Sequence, residues 1–344
     1  TPAANKIPYY TAADAGALTD LTEAARTLLD DTTVGAMRTT LAAASSTTAT
    51  QSIYVDKAAT GAGTGVDWTN AFTTIQAAFD SLPAIINHAV TIYIKKGTTA
   101  YSDTLTLQRT VAGGSVTVRG EYYWVNQAKS NATANRLYKA DADDWTGIES
   151  GDAVYLLQYS GTYEASTPTI AYVGTVDSIA GLGSGYVTIT CPVGPVTPTT
   201  GWKYVITKTV ISGALTAQNM DVVTIKGLTF TNTVTLTNSR NSTISECNIT
   251  APGSPYTISA KSSVSFLNSY FGNSGSTDGM VSGGSTLVLC QHCFFEKLTT
   301  AGRSLLRVSN TSELQLCRYT YISGRSGNTA SAAILLQMNS HAYV

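Results

Sequence analysis

In the second half of the chain, apolar residues recur in short alternating runs rather than in helical stripes. Residues 223–230, 242–249, 264–271, 287–294 and 314–321 each carry an apolar residue and a second one five positions later. The anchors Ile225, Ile244, Phe266, Leu289 and Leu316 are separated by steps of 19, 22, 23 and 27. Further apolar runs lie between them at 234–236, 256–258, 280–281 and 305–308, and 334–336 opens another. Several short strands per step of this length is the pattern of a parallel β-helix, in which each coil buries its apolar side against the next. Asn219, Asn238, Asn241, Asn310 and Asn339 fall between the runs, where their side chains satisfy turn backbone groups. In this register Cys290 and Cys317 each follow an anchor by one position and stack on neighbouring coils. The chain stops at Val344, where another coil begins, so the natural protein is expected to continue.

The first half is less regular. Residues 53–56, 90–94, 105–107 and 116–118 read as strands. Residues 68–82 read as a helix with Phe72, Ile75, Phe79 and Leu82 on one face, ended by Pro83. Gly61, Gly63 and Gly65 form a loop whose spacing is not a dinucleotide fingerprint. Between 140 and 208 short strands alternate with Gly-rich and Pro-rich connections, the reading of a small antiparallel β domain inserted between coils. That insertion is expected to be removable without unfolding the coils. The strand, capping helix, strand order of the opening coil resembles pectin-esterase-like and pectate-lyase-like β-helices.

Residues 18–29 and 34–41 have helical spacing, with Thr22 placed to start a helix, and 42–51 reads as a linker. Helices this short are unstable alone, so Leu18, Leu21, Leu28, Leu29, Met37 and Leu41 must be buried against partners. The run from Lys6 to Tyr10, then 18–31 and 36–41, resembles a segment common in phage and prophage tail-fibre proteins. The resemblance covers one end of the chain only. It implies a place between a virion-attachment part and a shaft or spike, and a homotrimer bundled through 17–44.

Composition narrows the function. Charged residues make up 12% of the chain and the net charge is −1, with no basic run, so neither nucleic acid nor an anionic membrane surface is indicated. No apolar stretch is long enough for a membrane span. Cys191, Cys247, Cys290, Cys293 and Cys317 are expected to be free, because a disulfide framework is unusual in so large a domain. The run Cys290-Gln291-His292-Cys293 has metal-ligand residue types. Read as one apolar strand it would point them to opposite faces, so no metal and no cofactor are expected.

Glycosidase chemistry needs two carboxylates about 5–10 Å apart. The weak catalytic candidates are Asp278, Glu246 and Glu296, which form no ladder at the coil spacing. Pectin esterases carry a Gln, a Gln-Asp pair, a second Asp in a Gly-rich run and an Arg. Residues 278–283 are faintly similar to the second Asp run, but Ser254-Pro255-Tyr256 stands where the Gln-Asp pair belongs, so that activity is not carried over. Tyr155, Tyr159, Tyr163, Tyr172 and Trp202 of the insertion are glycan-binding candidates, since aromatic faces stack on sugar C–H faces.

The expected fold class is all-β. It comprises a right-handed parallel β-helix over 51–139 and 209–344, a helical attachment segment with linker at 1–50, and the insertion at 140–208. The expected role is a trimeric section of a phage tail fibre or tailspike, structural and host-glycan-recognising, with tail or baseplate proteins and host polysaccharide as partners. It would be made in the bacterial cytoplasm and assembled into the virion. A β-helical polysaccharide depolymerase is the alternative. A secreted adhesin or lyase without a virion is the third reading, which the fibre-like segment disfavours.

Overall fold

The computed structural model describes residues 6–12, 15–20, 22–41, 44–126, 134–138, 148–159, 168–179, 186–190, 197, 203–273, 279–297, 306–315, 317–318, 321–324, 334–336 and 341–342. Within them the repeat forms the coils of a parallel β-helix with three walls. Each coil contributes one strand to each wall. One complete coil consists of Ser242–Ser245 on the long sheet, Asn248–Ala251 on the second and Tyr256–Ser259 on the third. All pairing between coils is parallel. Thr224 pairs with Thr243, Thr243 with Ser265, Val264 with Leu287, and Leu287 with Leu314, reproducing the steps in the sequence.

The last two anchors differ from expectation by one position. A β-bulge follows Val264, so that Phe266 pairs with Cys290 and Cys290 with Cys317. The inward column is therefore Ile225, Ile244, Phe266 and Cys290, not Leu289, and Cys317 continues its register by pairing with Cys290. Val288 is the extra residue and lies exposed. The second column keeps its five-residue offset from the corrected anchors: Phe230, Ile249, Phe271, Phe295 and Ile322 pair in turn. The core inside is aromatic, with Tyr256 edge-on to Phe266 and Phe271 at ring distances of 4.9 and 5.2 Å.

Turns between walls follow two rules. Where the long sheet passes to the second, Gly227, Glu246, Asn268 and His292 take positive φ in successive coils. His292 thus sits in a turn between two strands rather than in an apolar strand, which corrects the reading of the Cys290–Cys293 run. Where the third sheet returns to the long one, Ser239, Ser262, Ser285 and Ser312 form a buried ladder, the hydroxyls of Ser262, Ser285 and Ser312 each accepting from the serine N–H of the coil before at 3.0–3.1 Å. Asn219, Asn238, Asn241 and Asn310 also have positive φ, a conformation asparagine tolerates. Asn339 lies outside the described residues.

At the start, Gln51–Val55, Ala89–Ile94 and Ser115–Gly120 build the long sheet. The helix is shorter than expected, Ile75–Asp80, because the Thr74 hydroxyl accepts from Ala77 N–H and starts it there. Residues before Thr74 fold back instead, and Phe72 bridges to Val55. Ile75, Ala78 and Phe79 are buried and join the core that runs through the coils.

The insertion leaves after Gly120 and returns at Thr209. It is an antiparallel sheet of six strands among the described residues. Two of these, Tyr122–Asn126 and Arg136–Tyr138, lie upstream of residue 140, where the sequence reading places the start. At the N-terminus, Lys6–Ala12 and Ala15–Asp20 pair as a β-hairpin, so Leu18 is in a strand, not a helix. Thr22 caps Glu23–Leu29 and Thr33 caps Val34–Thr40, and neither helix buries a residue. Among the described residues no helix is long and apolar enough to cross a membrane.

Candidate functional site

A β-strand sends alternate side chains outward, and in-register stacking aligns those of successive coils into columns. On the long sheet one outward column reads Tyr54, Tyr93, Arg119 and Lys226, each paired with the next. Tyr54 and Tyr93 stack at 5.5 Å with an interplanar angle of 17°. Trp68, 41% exposed, lies edge-on to Tyr54 at 4.8 Å. The Arg119 guanidinium sits 5.8 Å from the Tyr93 ring and 5.5 Å from that of Tyr122, the first residue of the inserted sheet. Lys226 Nζ lies 5.6 Å from the Tyr122 ring. Gly227, at φ 64°, leaves the space that this ring occupies. Trp68, Tyr93, Arg119, Glu121, Tyr122 and Lys208 together line an open groove at the point where the chain departs for the insertion.

The carboxylates beside this groove are held by lysines. Glu121 Oε2 accepts from Lys96 N–H at 2.9 Å and lies 3.5 Å from Lys208 Nζ. Glu246 is 3.6 Å from Lys226 Nζ and accepts from Asn268 at 3.3 Å. Near the rim Lys95 pairs with Asp56 at 2.8 Å. Burial pushes the Asp56 carboxyl up, but the Lys95 hydrogen bond, the Ala58 N–H and the Lys95 charge together outweigh it and hold the group below the usual range.

Glu296 is elsewhere. It lies on the outer face of the second sheet, 6% exposed, and accepts from the Tyr270 hydroxyl at 2.7 Å. The inserted sheet covers this face through Tyr155, which packs 5.8 Å from Tyr270 and 6.4 Å from Phe294. Glu246, at the turn from the long sheet, and Glu296, under the insertion, occupy different columns. Asp278 lies outside the described residues. Tyr155, at 2% exposure, is closed to a sugar and works as a docking residue. Tyr159 and Tyr172 belong to strands Ala153–Tyr159 and Pro168–Ile179, but their side chains lie outside the described part, as do Tyr163 and Trp202 altogether.

Cys247, Cys290 and Cys293 are buried free thiols, and burial pushes Cys247 up to about 12. Cys317 is in a strand of the long sheet, and Cys191 lies outside the described residues. Among the described residues no three His, Cys, Asp or Glu side chains gather as metal ligands would.

The groove residues were not singled out from the sequence. Tyr54, Tyr93 and Arg119 each stand one place before the end of a strand, beside an inward apolar or glycine residue. Alternation alone therefore marks them as outward-facing.

No protein-family model matches the chain, and no curated protein matches it significantly. The fold is a parallel β-helix. Solved structures similar to it include the tailspike gp61 of Pseudomonas phage phi297, at 12% identity and a TM-score of 0.33 over 86% of this chain and 56% of that one. The gp54 tailspike of Acinetobacter baumannii phage AP22, solved with capsular saccharide, matches at 11% and 0.22 over 74% and 53%. The pectin methylesterase of Aspergillus niger matches at 10% and 0.24 over 87% and 88%. The chain spans about half the length of these tailspikes. No residue takes a role from them.

Proposed function

We propose that this chain is a section of a phage tail fibre or tailspike that binds host-surface polysaccharide along the outward column of the long sheet. The observation that carries the reading is the exposed Trp68 with the half-buried Tyr54, Tyr93 and Tyr122, set among cations on a rigid wall. Aromatic side chains contact sugar C–H groups, and coils about 4.8 Å apart set Trp68 beside a line of tyrosine ring edges rather than in a single pocket. The fibre-like sequence at 6–41 supports the virion role. In this reading the chain is a homotrimer joined through its N-terminal segment, its partners are tail or baseplate proteins, and it is made in the host cytoplasm before virion assembly.

Depolymerase activity is the second reading. It is disfavoured because the described carboxylates at the groove are each engaged by a lysine, leaving no acid placed to protonate a glycosidic oxygen. The test compares wild type with Trp68→Ala and Tyr93→Ala for retention of purified polysaccharide from susceptible bacteria. Each substitution should weaken retention at least about tenfold, as expected for a central aromatic contact. Unchanged retention in the doubly substituted protein refutes the site. Release of new reducing ends by the wild-type chain would establish the depolymerase instead.

A further inference from the structure

We propose that the saccharide bound here is acidic, bearing uronate-type carboxylates, and that Arg119 reads that charge. This rests on glycan recognition by the column as proposed above.

Arg119 and Lys226 are in-register neighbours on adjacent coils, and both project outward from the long sheet. Like charges directly opposite one another destabilise a strand pair. The other cations of the groove have carboxylate partners: Lys226 has Glu246 at 3.6 Å, and Lys208 has Glu121 at 3.5 Å. Arg119 is exposed, and among the described residues no carboxylate pairs with it. Two aromatic rings hold it instead, Tyr93 and Tyr122. Rings fix the position of a guanidinium through its charge, but they do not satisfy its fork of N–H donors, which matches a carboxylate with two parallel hydrogen bonds.

The column therefore offers, in order, an aromatic platform and an unneutralised guanidinium. An acidic sugar fits both parts, its ring face on the exposed Trp68 and its carboxylate on Arg119. A neutral sugar would use the platform and leave the repulsion between Arg119 and Lys226 in place. The opposite ladder of cross-coil contacts would serve a purely structural column better, with Glu in the place of Arg119.

The test uses the full chain on an array of neutral, uronate-bearing and sialate-bearing oligosaccharides. Calorimetry then follows on the best ligand, its carboxyl-reduced form and polyglutamate. The acidic form should bind at least about tenfold tighter than the reduced one, the loss expected when one charge-assisted pair is removed. The preference should shrink with added salt. Arg119→Gln should abolish the preference with a melting temperature no lower than that of the wild type, Arg119→Lys should keep part of it, and Trp68→Ala should weaken both forms alike. Equal binding of acidic and reduced forms, still lost in Trp68→Ala, overturns the charge reading and leaves glycan recognition standing. Polyglutamate bound as tightly as the acidic sugar shows a face that selects charge only and overturns the saccharide assignment. Retention of nothing on the array sinks both readings.

Discussion

His292 shows what one residue's position does to its chemistry. It is 3% exposed, and burial, with Lys203 nearby, pushes its imidazole down to about 4 from an ordinary 6.5. Between those two values the unfolded chain holds a proton that the folded chain refuses, so stability rises with pH across that window. It is complete above about 6.5 and is lost as pH falls toward 4. The melting temperature of the wild type should drop over this range more than that of His292→Asn, where asparagine accepts the positive φ. Superimposable pH profiles would show that His292 is not the group responsible. The same turn marks how far the sequence could be read. The apolar anchors were legible because each coil repeats them, but residues 287–289 are apolar at three successive positions, so alternation could not say which of them faces inward. Packing decides it by expelling Val288, and every inward residue after it moves on by one. The groove was hidden for a different reason. Tyr54, Trp68, Tyr93, Arg119, Tyr122 and Lys226 are each ordinary on a strand or loop, and only coil stacking brings them together.

At the scale of elements, the inserted sheet leaves and rejoins the coils at one point and docks on them. Its entry and exit are adjacent, with Lys208 N–H donating to Glu121 C=O at 2.9 Å, so the chain can be closed there without stretching a coil. Its docking is apolar at Tyr155, Tyr270 and Phe294 and ionic at Lys96, which reaches Asp152 at 2.6 Å and Glu149 at 2.9 Å. Deleting 122–207 should preserve the parallel β signal in circular dichroism yet make the protein self-associate, because Tyr270 and Phe294 would meet water on a flat wall. Adding Tyr270→Ser and Phe294→Thr should restore solubility, read by light scattering. A shortened, doubly substituted chain that still precipitates would mean that the coils need the insertion to fold. The boundary upstream of 140 was not legible, since Tyr122–Asn126 has the same aromatic and β-branched character as the coil strands that precede it.

For the whole molecule, the N-terminal segment poses the question of assembly. Its two helices bury nothing, while Leu29, Val34 and Leu41 are 65%, 65% and 61% exposed. Copies related by a threefold axis would cover these side chains by packing them together about the axis. Mass measurement at micromolar concentration should give a trimer for the full chain and smaller species without residues 1–50, and a monomer from both proteins rules the arrangement out. The place where the insertion interrupts the coils bears on kinetics as well. Glu121 N–H donates to the Thr209 hydroxyl across 88 residues, so the coil that contains this junction closes only when two distant points meet. Loop closure alone is a modest thermodynamic cost, about 0.6 kcal/mol for each doubling of length, but non-local contacts of this kind slow folding. If the inserted sheet forms first, it delivers Gly120 and Thr209 side by side, and coils on either side can zip from that point. The insertion then sets the order of events: substitutions in its core should slow refolding of the coils, which it joins at one junction and touches along one wall.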